Sequence, residues 1–272
     1  MGMAKMALNR KYISMFKAAV QDCLAYRLSY LFNILAQFVS VFTIFYIWKA
    51  LFNGRDTLNG YTWGQMRTYL FVTFGVNALI SWYSESRVSN RIRDGSVAMD
   101  LLKPYDFQKA QLAGSLGGSV TEIAVALIFC AVLLPLFGGV SLPPDPPHAV
   151  CFLVSVVFSY LVKFDVVYIF SLICFYTTSS LGIRWARGAV TDLFSGALIP
   201  ITFFPGPLLA LTRILPFQGV VYIPVSIYMG TAASFTDMLR AMAFQAVWAA
   251  ALWFLGKACW RVAVRQVTIL GG

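Results

Sequence analysis

Lys163 and Asp165 stand near the middle of Ala149 to Ser180, a stretch with no other charge, and Glu122 stands at the edge of the uncharged run Ile123 to Pro144. Ionisable groups at membrane depth are expensive and face a cavity or a partner helix. A lysine there offers a fixed cation, and the two acids offer proton or cation coupling. Two residues apart on a helix, Lys163 and Asp165 point in different directions, which leaves Glu122 as a candidate partner for Lys163. Two roles stay open for these charges: lining a substrate path, or locking helices together as a buried ion pair.

Elsewhere the residues of catalysis are missing. His148 is the single histidine; at the end of an apolar run it reads as an interfacial polar group, and no metal site is expected. The five cysteines (Cys23, Cys130, Cys151, Cys174, Cys259) occur singly without CxxC spacing, so neither a zinc site nor a disulfide framework is expected. No GxxxxGK phosphate loop occurs; the pair Gly256-Lys257 is followed by Ala258 and lacks the upstream glycine. GxSxG and HExxH are also missing. Hydrolase, metalloenzyme and phosphate-loop ATPase are thereby set aside, and any energy must come from another chain.

The elements that position the charges follow from composition. The 272 residues are 59% hydrophobic and 12% charged, with a mean hydropathy of +0.73, the balance of an integral membrane protein. About 20 apolar residues of helix cross a hydrocarbon core of roughly 30 Å, and a backbone in lipid must satisfy its own hydrogen bonds. The uncharged runs predict an all-α polytopic membrane protein with six transmembrane helices, over residues 28–50, 66–86, 113–137, 149–177, 189–204 and 237–256. With the N-terminus inside, 15 of the 21 Lys and Arg are cytoplasmic. The positive-inside rule therefore places both termini in the cytoplasm, at the plasma (inner) membrane. No cleavable signal peptide is expected. The net charge of +10 is a topology signal and an attraction to anionic membrane lipid, and it calls for no nucleic-acid partner.

Between the spans, Ile13, Phe16, Val20 and Leu24 share one helical sector and predict an interfacial helix over residues 11–26. SRVSNRIRDGSVAMDLLKPYDFQK is a cytoplasmic loop with both signs of charge. Asp94 and Gly95 form a turn, Ser96 is a candidate cap, Val97 and Leu101 pair at i,i+4, and Pro104 ends the element, giving a short amphipathic helix over 92–102. Gly114 and Gly118 have small-xxx-small spacing, which suits close helix packing. GGVSLPPDPPH, residues 138–148, is a stiff external connector. Residues 205–235 begin and end on the outside and cannot form a single crossing. Pro200, Pro205 and Pro207 are expected to end the fifth helix, and Pro216 to separate two short helices of a re-entrant hairpin in the outer leaflet.

LAYRLSYLFN (24–33), IRDGSVAMDLLKP (92–104), SGALIPITFFPGPLLALTRILPF (195–217) and PVSIYMG (224–230) resemble the ABC-2 type transporter permeases, in particular their compact six-helix branch, over nearly the whole chain. The resemblance implies pairing with a second permease, either an identical or a related chain, and docking of a separate ATP-binding-cassette ATPase subunit. That subunit would carry ATP and Mg; this chain would carry no cofactor. The loop Arg91, Ile92, Arg93, Asp94, Gly95, Ser96, Val97, Asp100, Leu101 and Leu102 would match the coupling helix, with Arg91, Arg93, Asp94 and Asp100 as polar contacts to the ATPase and Val97, Leu101 and Leu102 as the packed face. ATP-driven closure of the ATPase pair would rock the permeases between inward- and outward-facing forms, with export the usual direction. The external hairpin, through Pro200, Phe203, Phe204, Pro205, Pro207, Pro216 and Phe217, would gate the pathway. GIRWARGA (182–189), at the cytoplasmic entry to the fifth span, is wholly basic, where several members of the resembled family carry an acidic residue nearby.

Two other classes remain open. An ion-coupled secondary transporter would use Asp165 and Glu122, although no internal repeat supports it. A non-transport membrane scaffold or embedded enzyme is the second. A path lined by apolar and aromatic side chains with one or two charges suits amphipathic or lipophilic substrates.

Overall fold

The computed structural model describes residues 2–25, 27–78, 82–136, 139–177, 180–232 and 234–266. Residue 26 of the expected interfacial helix, 79–81 of the second span, 137 of the third and 233 of the external segment lie outside the described residues, as do both chain ends.

Helix α1 (Gly2–Ala25) precedes α2 (Arg27–Leu51). A two-residue hairpin follows, β1 (Thr57–Leu58) paired antiparallel with β2 (Tyr61–Thr62). Its Asn59-Gly60 turn has both φ angles positive, at 48° and 83°, the geometry that matches the twist of the strands. Thr62 then caps α3 (Trp63–Asn77) in a reciprocal capping box with Gln65. The remaining helices are α4 (Trp82–Arg93), α5 (Val97–Leu101), α6 (Phe107–Leu136), α7 (Pro146–Leu172), α8 (Ser180–Phe194), α9 (Gly206–Ile214), α10 (Tyr222–Tyr228) and α11 (Phe235–Ala263).

Among the described residues, three helical stretches are long and apolar enough to cross a membrane: Phe107–Ile128, Pro146–Phe175 and Phe235–Gln266, with a shorter apolar helix at Leu35–Leu51. The second and fifth expected spans take a different form. At 15 residues each, α3 and α8 rise only about 22 Å. The fifth helix occupies Ser180–Phe194 where 189–204 was expected. Its end is set by Gly196, whose φ of +84° is open to glycine without steric penalty, and the prolines come later. Pro200 opens a 3-10 turn over Ile201–Phe203, and Pro205 precedes α9.

Helix α1 packs on α6. Ala19 is fully buried, and a Cβ on Gly117 would meet the Phe16 carbonyl oxygen at 2.4 Å. The middle of α1 therefore faces protein, not lipid alone. Gly114 makes room for a side chain: its Cβ would fall 2.0 Å from the Arg87 guanidinium.

The central core joins α3, α7, α10 and α11, with Met66, Val162, Val221 and Val225 fully buried. A second core gathers Val88, Val97, Phe107, Tyr168 and Ala263 at the end of the molecule that carries α5, where Phe107 stacks on Trp260 with centroids 4.0 Å apart. The hairpin marks the opposite end.

Candidate functional site: an inter-helix cavity and a buttressed loop

A cavity of about 920 Å³ opens between α2, α3, α6, α7 and α8. Its walls are mostly apolar, with Phe45, Phe71 and Phe74 among them. Five charged residues among those described line it: Glu122, Lys163, Arg184, Arg187 and Asp192. Glu122, Lys163 and Arg187 are buried. The Lys163 ammonium donates to the Asn77 backbone oxygen at 2.6 Å and to its side-chain oxygen at 2.7 Å, so the charge is held where the last turn of α3 meets α7.

Helix α8 supplies the share that sequence reasoning missed. Leu181, Arg184, Gly188, Thr191 and Asp192 recur at three- and four-residue spacing on one face, and all line the cavity. The signal lies in GIRWARGA, whose basic residues are expected at a cytoplasmic span end and as a departure from the resembled family, and the spacing of that segment with the residues after it is what marks a cavity face. Thr191 is buried, and its hydroxyl has no hydrogen-bond partner among the described residues.

Asp165 lies outside this cavity. Gln108 of α6 donates to its carboxylate at 3.1 Å and to the Trp253 carbonyl of α11 at 3.3 Å. The Gln108 amide thus ties α6 to α7 and α11, and Gly256 leaves the space this requires, since a Cβ there would meet Gln108 at 3.0 Å. Of the three ionisable residues first singled out, Glu122 and Lys163 share a cavity and Asp165 belongs to a cross-link.

The loop after α4 is braced from within. Asp100 is buried, accepting from Arg91 at 2.5 Å, Lys103 at 3.3 Å and the Tyr105 hydroxyl at 2.7 Å. Burial and the neighbouring Asp100 carboxylate push the Tyr105 phenol up to about 12, so it remains a hydrogen donor. Val97 is buried in the loop-end core. Ser96 makes no side-chain cap; its N–H donates instead to the Asp94 carboxylate at 3.0 Å, and that bond holds Asp94 below its usual carboxylate value. Gly95, at φ +75°, turns the chain between α4 and α5. Arg93 and Asp94 are exposed, and so are Met99, Leu101 and Leu102, the last at 79%. Arg91 and Asp100 therefore pair with each other, and the apolar face that points outward consists of Met99, Leu101 and Leu102.

At the hairpin end the proline-rich segment is pinned. Asn59 donates to the Thr202 carbonyl at 2.8 Å, Phe203 packs edge-on against Trp48 at 5.3 Å, and the Tyr69 hydroxyl donates to the Gly196 carbonyl at 2.6 Å. Pro200 and Pro216 are buried, Phe204 is half-buried, and Pro205 and Pro207 are exposed. Phe217 faces Phe194 across 6.1 Å. The two halves of the segment differ. Helix α9 exposes Leu211 and Ile214, whereas α10 buries Ile223, Val225 and Ile227. Gln245 of α11 donates to the Gly219 carbonyl at 2.8 Å, which fastens the approach to α10.

With this geometry in view, residues 38–271 match the family described as ABC-2 family transporter protein. The chain belongs to that family and is a membrane protein of its transport machinery. No match was found among curated proteins or among solved structures.

Proposed function

We propose that this chain is the transmembrane permease subunit of an ATP-binding-cassette exporter. It moves an amphipathic or lipophilic substrate out of the cytoplasm by alternating access, driven by a separate ATPase subunit that binds ATP and Mg. The observation that carries the reading is the braced loop: an exposed apolar patch of Met99, Leu101 and Leu102 is held on a turn fixed by Asp100. A rigid lever of this kind suits transmission of movement from a soluble partner, because a loose loop would absorb it. The mostly apolar cavity, with its few charged side chains, suits the substrate path.

In this reading the chain works beside a second permease, identical or related, in the plasma membrane. Both termini are cytoplasmic, six elements cross the bilayer, and residues 205–235 form the external gate. Transport into or out of inside-out vesicles containing the permease and its ATPase subunit tests this. ATP-dependent uptake of an amphipathic dye is expected, and Leu101→Asp with Leu102→Asp should reduce it at least tenfold. Uptake that follows an ion gradient and ignores ATP would overturn the proposal in favour of a secondary transporter.

A further inference from the structure

The charges of the cavity are unequal in number and uneven in place. Among the described residues, Lys163, Arg184 and Arg187 stand against Glu122 and Asp192, three cationic side chains to two acidic ones. At 1.5 Å per residue, Arg184 and Arg187 lie roughly 6 and 10 Å from the start of α8, and Lys163 lies about 14 Å from the end of α7. Both helix ends belong to the loop end of the molecule. Phe45 lies about 9 Å from the hairpin end of α2, and Phe71 lies mid-helix in α3, about 9 Å along the axis from the Asn77 that holds Lys163. The buried Thr191 hydroxyl, without a protein partner among the described residues, adds a hydrogen-bond donor on the α8 wall between these zones.

We propose that the cavity takes amphiphiles with a single anionic head group, the head held by Lys163, Arg184 and Arg187 and the apolar tail laid along Phe45 and Phe71. This rests on the permease reading and names the substrate class of its path. A cation of the same shape meets Lys163, Arg184 and Arg187 at the head and gains the same burial at the tail, so discrimination comes from charge.

Trp185, exposed and at the cavity, provides a local reporter. The purified chain in nanodiscs of zwitterionic lipid is titrated with dibromostearate, and separately with dibromostearylamine, while tryptophan fluorescence is followed. The fraction of quenching that Trp185→Phe abolishes is the readout. Dibromostearate should half-saturate it at a concentration about tenfold lower than the amine. Lys163→Met should weaken dibromostearate about tenfold, and Asp192→Asn should strengthen it about threefold by raising the net charge. A folding defect cannot imitate that second result, because it would weaken binding. Equal or stronger binding of the amine, or weaker dibromostearate binding in Asp192→Asn, overturns the proposal. Displacement by acetate alone would also overturn it, since the site would then hold free anions without a tail. The assay contains no ATPase. Anion selectivity would stand even if no ATPase subunit associated, and an amine-selective cavity in a working ATPase complex would sink this proposal alone.

Discussion

Single residues divide here by what a neighbouring atom permits. Gly117 faces backbone, so Gly117→Ala has to move α1 away from α6 and should cost about 1–3 kcal/mol; thermal unfolding in detergent measures it. The atoms nearest a Cβ on Gly114 belong to the Arg87 guanidinium, the far end of a flexible side chain, so Gly114→Ala should cost clearly less than Gly117→Ala. Equal losses would show that the two glycines serve one packing purpose. The spacing of small residues was legible in the sequence, but which glycine meets a helix backbone was not, because that depends on where α1 comes to rest. Lys163 and Asp165 illustrate the same limit: residue spacing separated them, and only the fold distinguishes a cavity wall from a cross-link between three helices. Asp94 also carries a pH consequence. Its folded-state carboxyl titrates below its ordinary 3.8, so its contribution is present above that value and is lost only as the pH falls through the lowered one. Loop accessibility to protease should therefore be constant from about pH 8 to about pH 5, and a transition within that range would assign the turn to another group.

At the scale of elements, the loop and the proline-rich segment behave as built parts. Asp100→Ala removes the acceptor shared by Arg91, Lys103 and Tyr105. Arg91 and Lys103 are partly exposed, so the cost should stay near 1–2 kcal/mol, while proteolysis within 93–105 should accelerate several-fold. A melting loss without faster cleavage would mean that Asp100 stabilises the core and does not brace the loop. In the proline-rich segment, which the proposed topology puts outside, single cysteines at Pro205 or Pro207 should react with a membrane-impermeant maleimide added to intact cells. Labelling only after the cytoplasmic face is opened would reverse the topology. The sequence made the short helices on either side of Pro216 legible through their prolines. It misplaced the end of the fifth helix because proline was weighed and Gly196 was not. It also grouped Val97 with Leu101 by i,i+4 spacing, whereas α5 is five residues long and its first residue is drawn into the core by Val88 and Phe107.

For the whole molecule, the hydrophobic balance and the long uncharged runs made the membrane class legible, and four short motifs carried the family. The cavity was not legible as a site, because its charges come from three separate helices, and the positive-inside rule already accounted for both arginines of its described lining. An ABC-2 permease has no energy source of its own, so the exporter reading turns on association with an ATPase. Affinity purification through a tag on this chain, from cells co-expressing a candidate ATP-binding-cassette ATPase subunit, measures that association. Stoichiometric co-elution is expected for the natural chain and loss of it for Leu101→Asp with Leu102→Asp, at unchanged melting temperature. Failure of any such subunit to co-elute, or co-elution indifferent to the double substitution, would contradict it.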